Sequence, residues 1–488
     1  MTVASEGRSL DELLAGRSRR LRHVVLLLSL GCILGLGAFA LPHLLPARPY
    51  GLGSDYRVFF AAGELARDGV APYHLGPLRH LEQVALPYPT LLPALTVFVG
   101  PPVLAFVLVP LSLLPLWLGF ALLTVLGVVV VAVTVTLLAR DLGWRHTGLL
   151  VGAALVSWVG LLGFLAGQVD AVLLGALAGS MLLAWHERGL AAGLVLGLTL
   201  VKPTLLWPVP IFMFLALWPE RRRAWHFALG YLIVAAAFLG VSWPWLGAWG
   251  HRLLDFGHGV ATQQPDLAGL PGLLGAAPAA WGLGRGILAG PTLLVVALGL
   301  LGMAIFGAWM MLSKDWRRVS PVGRVTWAVA IPVGLWLLTT PYARPNDDLL
   351  LLPLFMVTVG GDARRVHGLG LGLSLASVVL FLLIWPAGVV PWEVGLAAFA
   401  ALTAWVWWRR TDPHLTGFGA GLCLLCLVAL PPVWAFHLLP VGLTPVAILV
   451  LVAEGGRTCW MEVGGAGTGP AYVESTSPAE IATSPGGA

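Results

Sequence analysis

Residues 190–223 read LAAGLVLGLTLVKPTLLWPVPIFMFLALWPERRR. A short apolar run, Leu190–Val201, meets Lys202-Pro203, and a second, Thr204–Trp218, ends at Pro219-Glu220-Arg221-Arg222-Arg223. At about 1.5 Å per residue the first run covers roughly 18 Å, well short of the ~30 Å hydrocarbon core. It cannot cross a membrane alone. The pattern predicts two half-membrane helices either side of a Lys-Pro break. Such breaks are tolerated at depth only when buried in protein or lining a water-filled cavity. A cavity opening away from the arginine end, with Lys202 near it, is the expectation. Snorkelling of a long cationic side chain to an interface accounts for the same lysine.

The rest of the chain fits this reading. Of 488 residues, 58% are hydrophobic and only 10% are charged, against about 25% charged in soluble domains. The bilayer must therefore act as solvent. Apolar runs of spanning length recur along the chain, and barrel-type alternation is absent, so the spans are helices. The fold class is all-α and polytopic, with roughly 10–13 transmembrane helices. A bundle over 24–453 is expected between a cytoplasmic leader, 1–23, and a tail, 454–488, expected to be disordered. The leader holds Arg8, Arg17, Arg19, Arg20 and Arg22. Its position places the first span, 24–41, as a signal anchor. Two long loops, 42–100 and 246–285, then fall on the outer side. Between 91 and 138 the number of passes stays open. A reversal at Leu114-Pro115 would put Arg140–His146 outside, against the positive-inside rule.

The net charge of +5 sits in short clusters between apolar runs. It marks membrane topology and excludes nucleic acid as a partner. The four cysteines have no metal spacing. No Walker loop, zincin motif or nucleophile elbow occurs. No cofactor and no metal is assigned.

The first outer loop opens Gly53-Ser54-Asp55-Tyr56-Arg57-Val58-Phe59-Phe60. A carboxylate here sits where a lipid-borne substrate meets water, so Asp55 is the candidate catalytic base. Capping of the helix that follows explains an aspartate there equally. Tyr56–Gly69 reads as a short helix lying on the membrane. Ionisable groups inside apolar surroundings are costly and mark function by default. Lys202 is the clearest. Gln168 and Asp170 occupy a glycine turn, where Asp170 also suits a helix first turn. Arg344 follows a Pro-Tyr turn beside Asp347 and Asp348, which an ordinary solvated loop would explain.

In this order the residues resemble the polytopic GT-C glycosyltransferases, specifically glycosyltransferase family 87. The likeness rests on Asp55-Tyr56 with Phe59-Phe60 and Gly69-Val70-Ala71-Pro72-Tyr73, on Gly100-Pro101-Pro102 through Leu114-Pro115, on Gly167-Gln168 with Gly193 and Lys202-Pro203, and on Thr340-Pro341-Tyr342. Gly100 stands where the family usually has Tyr, Asp170 where Asn is common, and one acid replaces a pair in the first loop. The resemblance implies a polyprenyl-phosphate sugar donor, often mannose, and a glycolipid or glycan acceptor at the outer face of the cell membrane. It implies inversion, with Asp55 as base and with Lys202 and Arg344 on the donor phosphate. Tyr56, Arg57, Tyr73, His74 and Gln168 are the expected substrate-binding groups. A pentosyl transferase of the same fold is one alternative. A lipid flippase, which also uses broken helices, is the other.

Overall fold

A computed structural model describes residues 53–84, 97–144, 147–156, 158–263, 289–340 and 343–359, together with Val452, Gly456 and Cys459. Among the described residues every regular element is helical. The leader, the first span, Tyr342 and the spans expected near 368–386, 393–408, 415–435 and 440–453 lie outside them. So does the second outer loop from 264 to 285. Within the expected tail, Gly456 and Cys459 are helical, and Cys459 is buried.

The helices are α1 (Ser54–Arg67), α2 (Leu75–Val84), α3 (Pro102–Ser112), α4 (Leu116–Asp141), α5 (Thr147–Val156), α6 (Trp158–Ala166), α7 (Asp170–Trp185) and α8 (Gly189–Gly197). There follow α9 (Pro203–Leu206), α10 (Val209–Leu217), α11 (Arg221–Ser242), α12 (Leu246–Gln263), α13 (Ala289–Leu312), α14 (Pro321–Thr339) and α15 (Leu352–Val359). Prolines open several of them, where a missing N–H leaves nothing unpaired. Ser320 caps α14, its hydroxyl accepting from Gly323 N at 3.1 Å. The broken helix is present: α8 tightens into a 3₁₀ turn over Leu198–Val201, and the backbone leaves helical geometry at Lys202 before α9.

Four described segments are long and apolar enough to cross a membrane: Leu116–Asp141, Arg221–Leu254, Leu294–Leu312 and Pro321–Thr339. In the most apolar window of α14, 89% of the residues are buried, against 17–33% in the other three. Hence α14 is the central post, and the others turn a face to lipid. Trp336 on α14 donates its indole N–H to Thr204 O at 2.7 Å, fixing α9 against it.

Charged groups gather at one end of the bundle. His186 meets Asp141 at 3.2 Å, Arg223 meets Glu187 at 2.5 Å, and Arg324 pairs with Glu220. These contacts put Arg140 and Asp141 at the same end as His186 and Glu187. Helix α3 covers only about 16 Å and runs back along α1, too short to cross a ~30 Å core alone. Helix α4 then carries Arg140 and Asp141 to the end that holds His186 and Glu187. The two long loops expected on the outer side meet at another place. Tyr73 donates to Gly100 O at 2.9 Å, Arg252 to Tyr73 O at 2.7 Å, and Trp249 to Val99 O at 3.1 Å.

Helix α1 differs from its expected place on the membrane surface. Tyr56, Val58, Phe60, Ala61, Ala62, Leu65 and Ala66 are all buried, because α1 packs along α3 and its first residues meet α6. Gly53 N donates to Leu165 O at 2.7 Å.

Helices α8 and α11 approach closely without side chains between them. A Cβ on Gly193 would lie 2.0 Å from Phe227 O, and one on Gly230 would lie 2.2 Å from Leu190 O. Neither backbone can yield without parting the pair. Gly193→Val is expected to cost at least the ~1–3 kcal/mol typical of overpacking. A lowered thermal midpoint in detergent, and loss of the monodisperse peak in fluorescence-detected chromatography, check this.

Candidate active site

The site is built on the turn between α6 and α7, Gly167-Gln168-Val169-Asp170. The N–H groups of Gly167 and Gln168 both return to Gly163 O, at 3.0 and 2.9 Å, and close the end of α6. Gly167 has φ +75°, the left-handed region that glycine adopts without strain. A Cβ there would also fall 2.6 Å from Tyr56 Cβ. Position 167 is therefore closed to side chains on two counts. The tight turn sets Gln168 on one side and Asp170 on the other.

Gln168 donates its Nε2 hydrogen to Asp55 Oδ2. Asp55 lies in the first turn of α1, and the cap position belongs to Gly53 with φ +71° and no side-chain cap bond. The capping explanation of Asp55 thus fails. Its carboxylate faces Gln168 in the first turn of α1. Asp55 remains partly exposed.

On the other side of the turn, Asp170 Oδ1 accepts from Lys202 Nζ at 2.9 Å, and Asp347 Oδ1 accepts from the same ammonium at 2.6 Å. The two aspartate side chains are 1% exposed and the lysine 20%. Two carboxylates thus bracket one cation inside the bundle. Asp347 sits in a 3₁₀ turn, Pro345–Leu351, beyond the end of α14. Its Oδ2 accepts from Arg344 N at 2.7 Å, and its own N–H returns to Arg344 O at 2.9 Å. Burial raises the Asp347 carboxyl above the usual carboxylate range; Lys202 pulls it down, and the charge of Asp170 pushes it up again.

Helix α7 runs from this cluster to Trp185, and its 16 residues make about 24 Å. The cluster therefore lies about 24 Å along α7 from the end where His186 meets Asp141.

The structure brings Asp55, Tyr56, Gln168, Lys202 and Arg344 into one connected region, with Arg57 two residues from Asp55 on α1. Tyr56 is 1% exposed and packs on Phe120 with ring centroids 5.9 Å apart. Burial pushes its phenol up to about 12, so it stays neutral. Tyr73 and His74 are not brought to Asp55. They lie beyond the opposite end of α1, about 18 Å along its axis. Tyr73 is buried with its hydroxyl on Gly100 O, and His74 is exposed.

Sequence reasoning missed Asp347, which it left in a solvated loop, and missed the pairing of Asp170. One signal was available. A lysine at a helix break inside an apolar region requires a carboxylate partner, since an unpaired buried charge is prohibitive. Among the described residues, no group of three or more His, Cys, Asp or Glu side chains is placed to hold a metal ion.

The family model described as glycosyltransferase family 87 matches residues 98–341, half of the chain. Gln168, Asp170 and Lys202 lie within the match, while Asp55, Arg344 and Asp347 flank it. No curated protein and no solved structure matches the chain.

The ion cluster makes a prediction about stability. Lys202→Met leaves two buried carboxylates facing each other, and breaking such an arrangement typically costs ~3–5 kcal/mol. D170N/K202M/D347N removes all three charges and is expected to recover most of that loss. Thermal unfolding of the purified variants in one detergent compares them directly.

Proposed function

Because the chain belongs to glycosyltransferase family 87 and is a membrane glycosyltransferase, we propose that it transfers mannose from a polyprenyl-phosphate carrier to a hydroxyl of a glycolipid or glycan acceptor. The reaction takes place at the outer face of the cytoplasmic membrane. The positive-inside rule supports that orientation, since the end rich in arginine lies about 24 Å from the ion cluster.

The observation that carries the reading is the partly exposed Asp55 carboxylate, held by Gln168 at one oxygen. The acceptor oxygen attacks the anomeric carbon from the face opposite the phosphate. Its proton passes to Asp55, the bond from anomeric carbon to phosphate oxygen breaks, and polyprenyl phosphate leaves with the electron pair. The anomeric configuration inverts. Arg344 is the cation assigned to the leaving phosphate, where a guanidinium can make paired hydrogen bonds.

Lys202 was expected to share that task. A phosphate at its ammonium would be a third anion beside Asp170 and Asp347. We therefore give Lys202 no direct phosphate contact.

The test is transfer in nanodiscs, with radiolabelled polyprenyl-phosphate mannose and a membrane glycolipid extract. Wild type is expected to move label into product and release polyprenyl phosphate. Asp55→Asn should lose at least the ~10²–10⁴-fold that a general base supplies, with its chromatographic profile unchanged. Turnover retained in Asp55→Asn removes Asp55 from the base role. Use of an arabinofuranosyl donor instead of mannose would change the sugar and keep the mechanism.

A further inference from the structure

The base, the assigned phosphate cation and the buried ion cluster are joined by hydrogen bonds and one short stretch of chain. Asp55 accepts from Gln168, and Gln168 is two residues from Asp170 in a turn closed by Gly167. Asp170 is gripped by Lys202, which also grips Asp347. Asp347 in turn accepts from the backbone N–H of Arg344. Three chain segments far apart in sequence converge here: the α6–α7 turn, the α8–α9 break, and the 3₁₀ turn after α14. Lysine with two carboxylates joins all three at once, which a single ion pair could not do.

From this we infer that Gln168 is a positioning residue for Asp55, and that the Asp170–Lys202–Asp347 cluster is the anchor that holds both Gln168 and Arg344 in register. The inference rests on the assignment of Asp55 as base. Three observations support it. Gln168 spends its Nε2 on one carboxylate oxygen of Asp55, which restrains the carboxylate and directs the other oxygen to an acceptor hydroxyl. The cluster is nearly closed to water at its two acids, so its geometry is rigid. Among the described residues, the helices that pack on α1 near Asp55 bring no second charged side chain to it. Helices α3 and α6 carry none, and those of α4, Arg140 and Asp141, lie at its far end. Arg57 shares α1 with Asp55, and the charged residues of α2 follow the other end of α1 in the chain.

A misplacement of about 1 Å can cost ~10²-fold in rate. The test therefore separates rate from binding and looks for coupling. Gln168→Leu, assayed in nanodiscs with polyprenyl-phosphate mannose, is expected to lower kcat by ~10–100-fold, with donor KM and thermal midpoint unchanged. D170N/K202M/D347N, which carries no buried unpaired charge, is expected to lower kcat similarly. Adding Gln168→Leu to it should lower kcat little further, because residues that act as one unit are not additive. Lys202→Arg keeps the cation between the acids and is expected to retain kcat.

Wild-type kcat in Gln168→Leu overturns the inference. So does a full multiplication of the two losses. A rise in donor KM alone, in the triple variant or in Lys202→Arg, would make Lys202 a phosphate contact and likewise overturn it. Should the triple variant not fold, Gln168→Leu and Lys202→Arg decide the matter. Asp55→Asn in the same assay keeps the two readings apart. If it turns over, the base assignment fails; if it is dead while Gln168→Leu is normal, only the positioning inference fails.

Discussion

Everything near the site depends on one ammonium between two carboxylates. In water such a cluster would be worth little, because each charge keeps its hydration. Inside the bundle the balance changes. The acids have lost water, and Lys202 supplies the charge that compensates them both. That obligation selects the backbone around it. The helix must break so that a lysine can reach sideways, Pro203 must start a new helix, and the chain after α14 must curl into a 3₁₀ turn to bring Asp347 home. The fold can satisfy the charges in few other ways, which is why three distant segments take up fixed positions.

Lipid-facing helices and the site make different demands on the chain. Helices α4, α11 and α13 present large apolar side chains outward, among them Trp117, Leu232 and Leu298, and need only be apolar there. The elements around the cluster instead pack on backbone and small residues. Gly167 against Tyr56 and Gly193 against Phe227 are examples. Close approach of backbones leaves these elements little room to shift against one another.

Much of this was legible in the sequence, and the remainder failed for identifiable reasons. The all-helical membrane class and the break at Lys202-Pro203 follow from run lengths and proline chemistry, which are local. Asp55 and Gln168 were recognisable singly. Their contact joins residues 113 positions apart, and that of Lys202 with Asp347 joins residues 145 apart; no periodicity encodes such pairs. Helix α1 was misplaced because an apolar face looks the same whether it meets lipid or protein. The path around Pro115 was ambiguous because α3 is apolar enough to pass for a span but too short to be one.

Helix α14 has a consequence for how the chain is made. It carries Arg324 near its start, and almost none of its surface meets lipid. Its length and hydropathy suffice for insertion, but inside the folded bundle its residues are covered by protein. It packs on α10 and α13, so it reaches its final place only against partners already there. Co-insertion with α13 as a helical hairpin satisfies that condition, since the two are joined by a short turn and pack together. Biogenesis of the enzyme is thus tied to the same central helix that supports its chemistry.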